Sequence, residues 1–379
     1  MDFKNKLMAS EKILWNADFK NIPIIFWGCG NSMHVMKDVL KEKGISPSAY
    51  CDNNSQLIGK MIDNIPILSY KQIRERYEHY LIILTVAINN AIPIVEQLKK
   101  EHEKNPIFHV EHPFKVEKGF LEYESIEERI EDFETVYGLL QDELSKDIFV
   151  NCINFKLTGN KLPLLRYVDG DTFFDKEIIP KSYDYTYVDV GAYTGDTLLR
   201  FYAFCEGRYN RIYGIEPDTG NYNALCELVK YGRLERTSLF HVGGWNQKGE
   251  LRFYTVANEN NLNFDSPNFF KWLEDSNVNS WGISRENYGM ECIPVDTVDN
   301  LLQENKCDII KINALGADYH VLKGCKKTIE LYKPVLVGEF GAQKEHLTDL
   351  LYEMHKYNPN YKLYLRQKMI FGDCKTVYY

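Results

Sequence analysis

Tyr187-Val-Asp-Val-Gly-Ala-Tyr-Thr-Gly-Asp196, followed by Glu216-Pro-Asp218, decides the fold. A β-branched run ends on an acid, Asp189, and the chain must then turn sharply into a helix. Gly191 permits backbone conformations and a close approach that a side chain would block. Gly195 lets a ligand sit against the helix start, where free N–H groups point outward. One strand further on, Glu216 stands at a C-terminal tip, with Pro217 and Asp218 behind it. An acid there can hold two vicinal ribose hydroxyls, and open parallel sheets bind their ligands along this edge, at the point where strand order reverses.

This spacing leaves three readings open: a nucleoside site for S-adenosylmethionine, a dinucleotide site, and a bare structural turn. The acid precedes the glycines and the pattern is Gly-x-x-x-Gly, so no compact diphosphate cradle forms. Asp189 suits a turn-bracing role near a cationic sulfonium that carries an amino-acid tail, which favours S-adenosylmethionine. Tyr193, inside the turn, reads as a wall of the ligand pocket rather than a catalyst.

Working outward, the strands of this unit are expected at Tyr185–Val190, Arg211–Ile215, Ser238–Val242, Cys307–Asn313 and Pro334–Phe340, with helices between them. Tyr361–Leu365 and Thr376–Tyr379 read as a closing antiparallel pair. Phe264 to Met290, polar and holding Trp272 and Trp281, reads as a long loop near the mouth of the site.

A second unit of the same kind lies in front. Strands are expected at Ile22–Phe26, Ser48–Tyr50, Ile65–Leu68, Leu81–Val86 and Ile107–Val110, alternating with helices, which makes a parallel sheet covered on both faces. Gly28-Cys-Gly-Asn-Ser-Met33 follows the first strand and Asp52 tips the next. This is a truncated dinucleotide fingerprint, with Met33 in place of the third glycine, where it would crowd the helix–strand contact. Gly28, Gly30, Asn31 and Asp52 are its candidate contacts. The Glu-rich pattern from Ile126 to Leu144 is helical, so the chain divides into residues 1–112, a helical lead-in over 113–182, and residues 183–379. The fold class is α/β with two Rossmann-like domains.

Composition narrows the function further. The 379 residues carry a formal charge of −9, which opposes a broad nucleic-acid surface, since phosphate binding needs clustered Lys and Arg. No stretch approaches the roughly 20 apolar residues that span a bilayer, and the start has no secretory pattern, so a cytoplasmic protein with no membrane span is expected. Nine scattered cysteines without a Cys-x-x-Cys pair read as reduced thiols, and His109 with His112 forms no metal site.

Residues 183–379 resemble the FkbM family of S-adenosylmethionine-dependent methyltransferases. The matching pieces are Tyr187–Thr197, Ile212–Asp218, Val295-Asp-Thr-Val-Asp-Asn-Leu301, Asp308-Ile-Ile-Lys-Ile-Asn313, Gly316-Ala-Asp318, Val321-Leu-Lys-Gly324 and Asn358–Arg366. The resemblance implies a class I methyltransferase seven-stranded sheet, S-adenosylmethionine as cofactor, and a sugar, glycan precursor or natural-product hydroxyl as acceptor. The fragment around Gly28 resembles the small domains that precede sugar acyltransferases, which implies a nucleotide or nucleotide-sugar partner or a docking role, compatible with a homodimer.

One departure falls where the acceptor should sit. The family has Ile-Lys-x-Asp-x-Glu-Gly-Ala-Glu after its fourth strand, and this chain has Ile310-Lys-Ile-Asn-Ala-Leu-Gly-Ala-Asp318. Asn313 exchanges hydrogen bonds but takes no proton, Leu315 does neither, and Asp318 alone keeps a charge. The site then uses another base, or relies on positioning alone, or binds its ligand without catalysis as a scaffold. Glu339 and His320 are the candidate replacement bases; Asn313 and Asp318 complete the catalytic set. Against them stand ordinary structural roles, a capping or salt-bridged carboxylate for Glu339 and a helix-face histidine for His320. An NAD-dependent oxidoreductase using the first domain is disfavoured because no catalytic Tyr-x-x-x-Lys or His/Asp pair follows it at a sensible distance.

Overall fold

The computed structural model describes residues 3–7, 22–42, 44–109, 123–158, 160, 162–167, 173–254, 278–280, 283–284, 290–314, 317–340, 347–367 and 375–378. They fall into two compact units, one of residues 1–130, 149–166 and 263–270, the other of 131–148, 167–262 and 271–379.

In unit 1, strands β1 (Ile24–Trp27), β2 (Ala49–Cys51), β3 (Met61–Ile62), β4 (Ile65–Leu68), β5 (Leu81–Leu84) and β6 (Ile107–His109) stand in the order β3-β4-β2-β1-β5-β6. All pairs are parallel except β3 with β4. β1 is buried along its whole length, as a strand covered on both faces must be. β3 was not expected. Asp63 and Asn64 adopt φ of 50° and 64°, the left-handed pair of a tight two-residue hairpin turn, which folds Met61–Ile62 back onto β4. Met33 is fully buried in the core with Ile24, Phe26 and Tyr50, so the helix Asn31–Glu42 seats on a side chain where a glycine would allow closer contact.

In unit 2, β7 (Thr186–Val190), β8 (Arg211–Ile215), β9 (Thr237–Phe240), β15 (Ile309–Ile312), β16 (Val335–Phe340), β17 (Tyr364–Gln367) and β18 (Lys375–Tyr378) form one sheet in the order β17-β18-β16-β15-β7-β8-β9. β18 alone runs antiparallel, between β16 and β17. This is the seven-stranded arrangement expected from the sequence. Tyr187 stacks on Phe201 at 4.3 Å, and Phe174 packs edge-on to Tyr187, so an aromatic core fixes the helix Asp196–Phe204 beneath β7.

A small second sheet in this unit escaped the sequence reading. β10 (Gly243–Gly244) and β11 (Gly249–Tyr254) flank β14 (Met290–Asp296). Buried Ile293 and Val295 alternate with exposed positions, a period-2 signal blurred by Pro294. The expected loop Phe264–Met290 lies largely outside the described residues; within it β12 (Val278–Ser280) and β13 (Ile283–Ser284) pair antiparallel. Among the described residues no helix is long and apolar enough to cross a membrane, no His, Cys, Asp and Glu cluster could hold a metal, and Cys29, Cys51, Cys205, Cys226, Cys292, Cys307 and Cys325 form no disulfide.

Candidate active site

Five chain segments of unit 2 meet at the C-terminal edge of its sheet. β7 runs into the turn Gly191–Gly195, and Gly191 takes φ +74°. A Cβ there would lie 2.0 Å from the carbonyl oxygen of Asn313, so only glycine lets the turn pass the tip of β15. Gly195 has φ +93° and caps the helix Asp196–Phe204. A Cβ on it would strike Leu228 at 2.3 Å and Leu225 at 3.0 Å, so in this structure its small size serves helix packing.

Asp189 is sealed from solvent. One oxygen accepts a hydrogen bond from Lys311 Nζ at 2.8 Å and the other from Thr197 Oγ1. Lys311, 1% exposed, donates also to the carbonyls of Gly191 at 2.7 Å and Val190 at 3.4 Å. Both carboxylate oxygens of Asp189 are therefore committed to the protein, which is the bracing role. Lys311 is a site residue for which the motif Asp308–Asn313 suggests no role. Its signal is a single charge inside the apolar run Ile309–Ile312, which burial forces to find a partner.

Glu216 is 5% exposed. Its Oε2 accepts the N–H of Tyr193 at 2.8 Å and its Oε1 that of Asp218 at 3.0 Å. Burial, the largest influence, lifts its carboxyl above the ordinary value despite these two backbone donors and the side chain of Asn221. A carboxylate offers about four acceptor positions, so about two remain. Tyr193 holds φ +49° with its ring 56% exposed, so the bond to Glu216 keeps a bulky residue in a left-handed conformation. Asp218 caps the helix Thr219–Tyr231 by accepting the N–H of Asn221 at 2.8 Å, while its Oδ2 is buried without a hydrogen-bond partner. Pro217 lies against Gly243.

Asn313 follows β15, donates its N–H to Val190 at 3.0 Å, and has a buried side-chain oxygen with no partner. Asp318, buried at the start of the helix Asp318–Lys323, accepts the N–H of Ala314 at 3.1 Å and closes the loop between them. Leu315 and Gly316 lie outside the described residues. Glu339 sits in β16 at the position paired with Thr376 of β18.

His320 belongs to a group the sequence did not reveal. Its ring stacks on Trp245 at 4.0 Å, and Nδ1 lies 3.3 Å from the amide of Asn246. Gly244 allows this: a Cβ there would meet Val190 at 2.6 Å and Val321 at 3.2 Å, so the chain carrying Trp245 passes between the end of β7 and the His320 helix. Burial and nearby Lys323 push the imidazole below its usual 6.5. The amide of Asn246 suits either neutral tautomer, by donating Nδ2–H to a bare Nδ1 or accepting Nδ1–H on Oδ1 after a half turn.

In unit 1 the predicted residues also converge. Asp52 accepts the N–H groups of Cys29 and Asn54, both at 2.8 Å; Gly28 has φ +108° beside Val86; Gly30 and Asn31 are exposed at the start of their helix.

Comparison with curated proteins gives no match. Among solved structures, methyltransferase FkbM from Methylobacillus flagellatus KT superposes with TM-score 0.65 at 20% identity, covering 94% of this chain and 90% of its own. An rRNA methylase from Streptococcus thermophilus matches with TM-score 0.29 at 12% identity over 52% of this chain and 86% of its own. A Streptococcus mutans protein in complex with SAH matches with TM-score 0.30 at 8% identity over 54% and 90%. The family model of the methyltransferase FkbM domain matches residues 189–362, from the buried acid of β7 to the chain just before β17, so these residues form an FkbM methyltransferase domain.

Proposed function

We propose that this domain transfers a methyl group from S-adenosylmethionine to a hydroxyl of a sugar, glycan precursor or natural product. The observation that carries the cofactor is Glu216: its carboxylate is fixed by two backbone N–H groups yet keeps acceptor positions for the two ribose hydroxyls. The unpartnered oxygen of Asn313 fits the donor groups of an amino-acid tail, beside a turn that only Gly191 lets pass. Bound there, S-adenosylmethionine supplies an electrophilic methyl group for in-line displacement by an oxygen.

The protein's part is to orient and to hold a proton. The pair Asp189–Lys311 fixes the turn, and Glu216 fixes Tyr193. His320, held neutral, accepts the hydroxyl proton of the acceptor at Nε2 while Asn246 takes the Nδ1–H. Asp318 shapes the loop at the acceptor end. Residues 1–112 are proposed as a nucleotide-binding or docking domain, joined through 113–182 to the methyltransferase domain.

Labelled S-adenosylmethionine incubated with glycan fractions tests the reading. Label should pass to the glycan with wild type and not with Glu216→Ala. Cofactor binding without any transfer would instead mark a binding protein built on the methyltransferase fold.

A further inference from the structure

The turn Gly28–Asn31 and Asp52 take no part in methyl transfer, yet their hydrogen bonds repeat those around Glu216. In each unit the acid at the second strand's tip accepts an N–H from the turn residue 23 positions before it: Cys29 to Asp52 at 2.8 Å, Tyr193 to Glu216 at 2.8 Å. In each, the other carboxylate oxygen takes the N–H of the residue two further on, Asn54 at 2.8 Å and Asp218 at 3.0 Å. A Cβ on the first glycine would press on the tip of the strand on the other side, Gly28 on Thr85–Val86 and Gly191 on Asn313. Both turns stand where strand order reverses, β1 between β2 and β5, β7 between β8 and β15.

We infer that unit 1 holds a second site, for a ribonucleoside whose 2′- and 3′-hydroxyls donate to the acceptor positions left on Asp52. The inference rests on the reading of Glu216 as a diol-binding carboxylate and extends it to a different ligand. The two sites are not copies. Asp52 is half-buried where Glu216 is almost fully buried, and space opens over the turn, since a Cβ on Gly30 would meet nothing within 4 Å. Phe26, one residue before the end of its strand, holds the position that Asp189 holds in β7. Unit 1 therefore lacks a counterpart of the buried Asp189–Lys311 brace, and Cys29, pushed up to about 12 mainly by burial, stays a neutral thiol at neutral pH. An open turn without that brace suits a ribonucleoside bearing a bulky 5′ substituent.

The full-length protein is first saturated with S-adenosylhomocysteine and then titrated by calorimetry with ADP, UDP, GDP and CDP in turn. At least one should bind at one further site, and its 2′,3′-dideoxy analogue should bind about tenfold or more weakly. Asp52→Asn should weaken that binding by about tenfold or more and leave S-adenosylhomocysteine affinity unchanged. Gly30→Phe, whose Cβ meets no protein atom within 4 Å, should abolish it even if Asp52→Asn disturbs the turn. The inference is overturned if no diphosphate binds at millimolar concentration, if the dideoxy analogue binds equally well, or if Gly30→Phe binds like wild type. Failure of the methyltransferase reading shows separately, as no heat in the first step.

Discussion

Lys311 and Asp189 occupy paired positions on adjacent parallel strands, with Nζ 2.8 Å from Oδ1 and neither residue open to solvent. Lys311 spends its other protons on the carbonyls of Val190 and Gly191, and Asp189 spends its other oxygen on Thr197. One buried pair thus ties β7, β15, the glycine turn and the following helix together. Lys311→Met leaves the aspartate buried and uncompensated and should cost about 3–5 kcal/mol in urea denaturation. Adding Asp189→Asn should recover part of that loss. A cost below about 1 kcal/mol would refute the bracing role.

Gly191 and Gly195 should respond differently to alanine. Gly191→Ala drives a Cβ into backbone at the tip of β15, so no side-chain repacking rescues it, and cofactor binding should be lost. Gly195→Ala meets side chains, and combined with Leu228→Ala it should show a coupling of about 0.5–3 kcal/mol in a double-mutant cycle of stability. Zero coupling would return Gly195 to the ligand-facing role read from the sequence.

The strand order, the turn, Glu216 and the family were legible because each leaves a local mark: an apolar run, a glycine, an acid at a fixed offset. Lys311 had a mark that went unread, a charge inside a buried strand. Trp245, stacked on His320, and Asn246, hydrogen-bonded to it, left none, because they depend on Gly244 slipping between Val190 and Val321, residues far apart in sequence. The sheet of β10, β14 and β11 was missed for a local reason, the interruption of its alternation by Pro294.

Burial raises the Glu216 carboxyl above its ordinary 4.5, so its ionisation opposes folding. The stability linked to its neutral form is present below the unfolded value and lost as pH rises through the folded one. Ligand binding has the opposite sign, because the ionised form is the better acceptor for hydroxyls. S-adenosylhomocysteine affinity should fall as pH drops through the raised value in wild type and stay flat in Glu216→Gln. Parallel pH profiles in the two proteins would contradict this.

His320 is shifted below 6.5 by burial and by Lys323. The depressed value means that the neutral ring stabilises the fold above the unfolded value, and that this contribution is lost as pH falls through the folded one. The acid limb of kcat/KM should lie below 6.5 and move upward in Lys323→Met. His320→Gln should lower kcat by about 10²–10⁴-fold. An unchanged acid limb in His320→Gln would remove the histidine from proton transfer.

Calorimetric titration of wild type and Glu216→Gln with S-adenosylmethionine tests the central claim most directly. One molecule should bind per chain, with affinity reduced by about tenfold or more in the variant through loss of hydrogen bonds to a charged acceptor. Absence of heat in the wild type, or equal affinity in both proteins, would contradict a nucleoside held by Glu216.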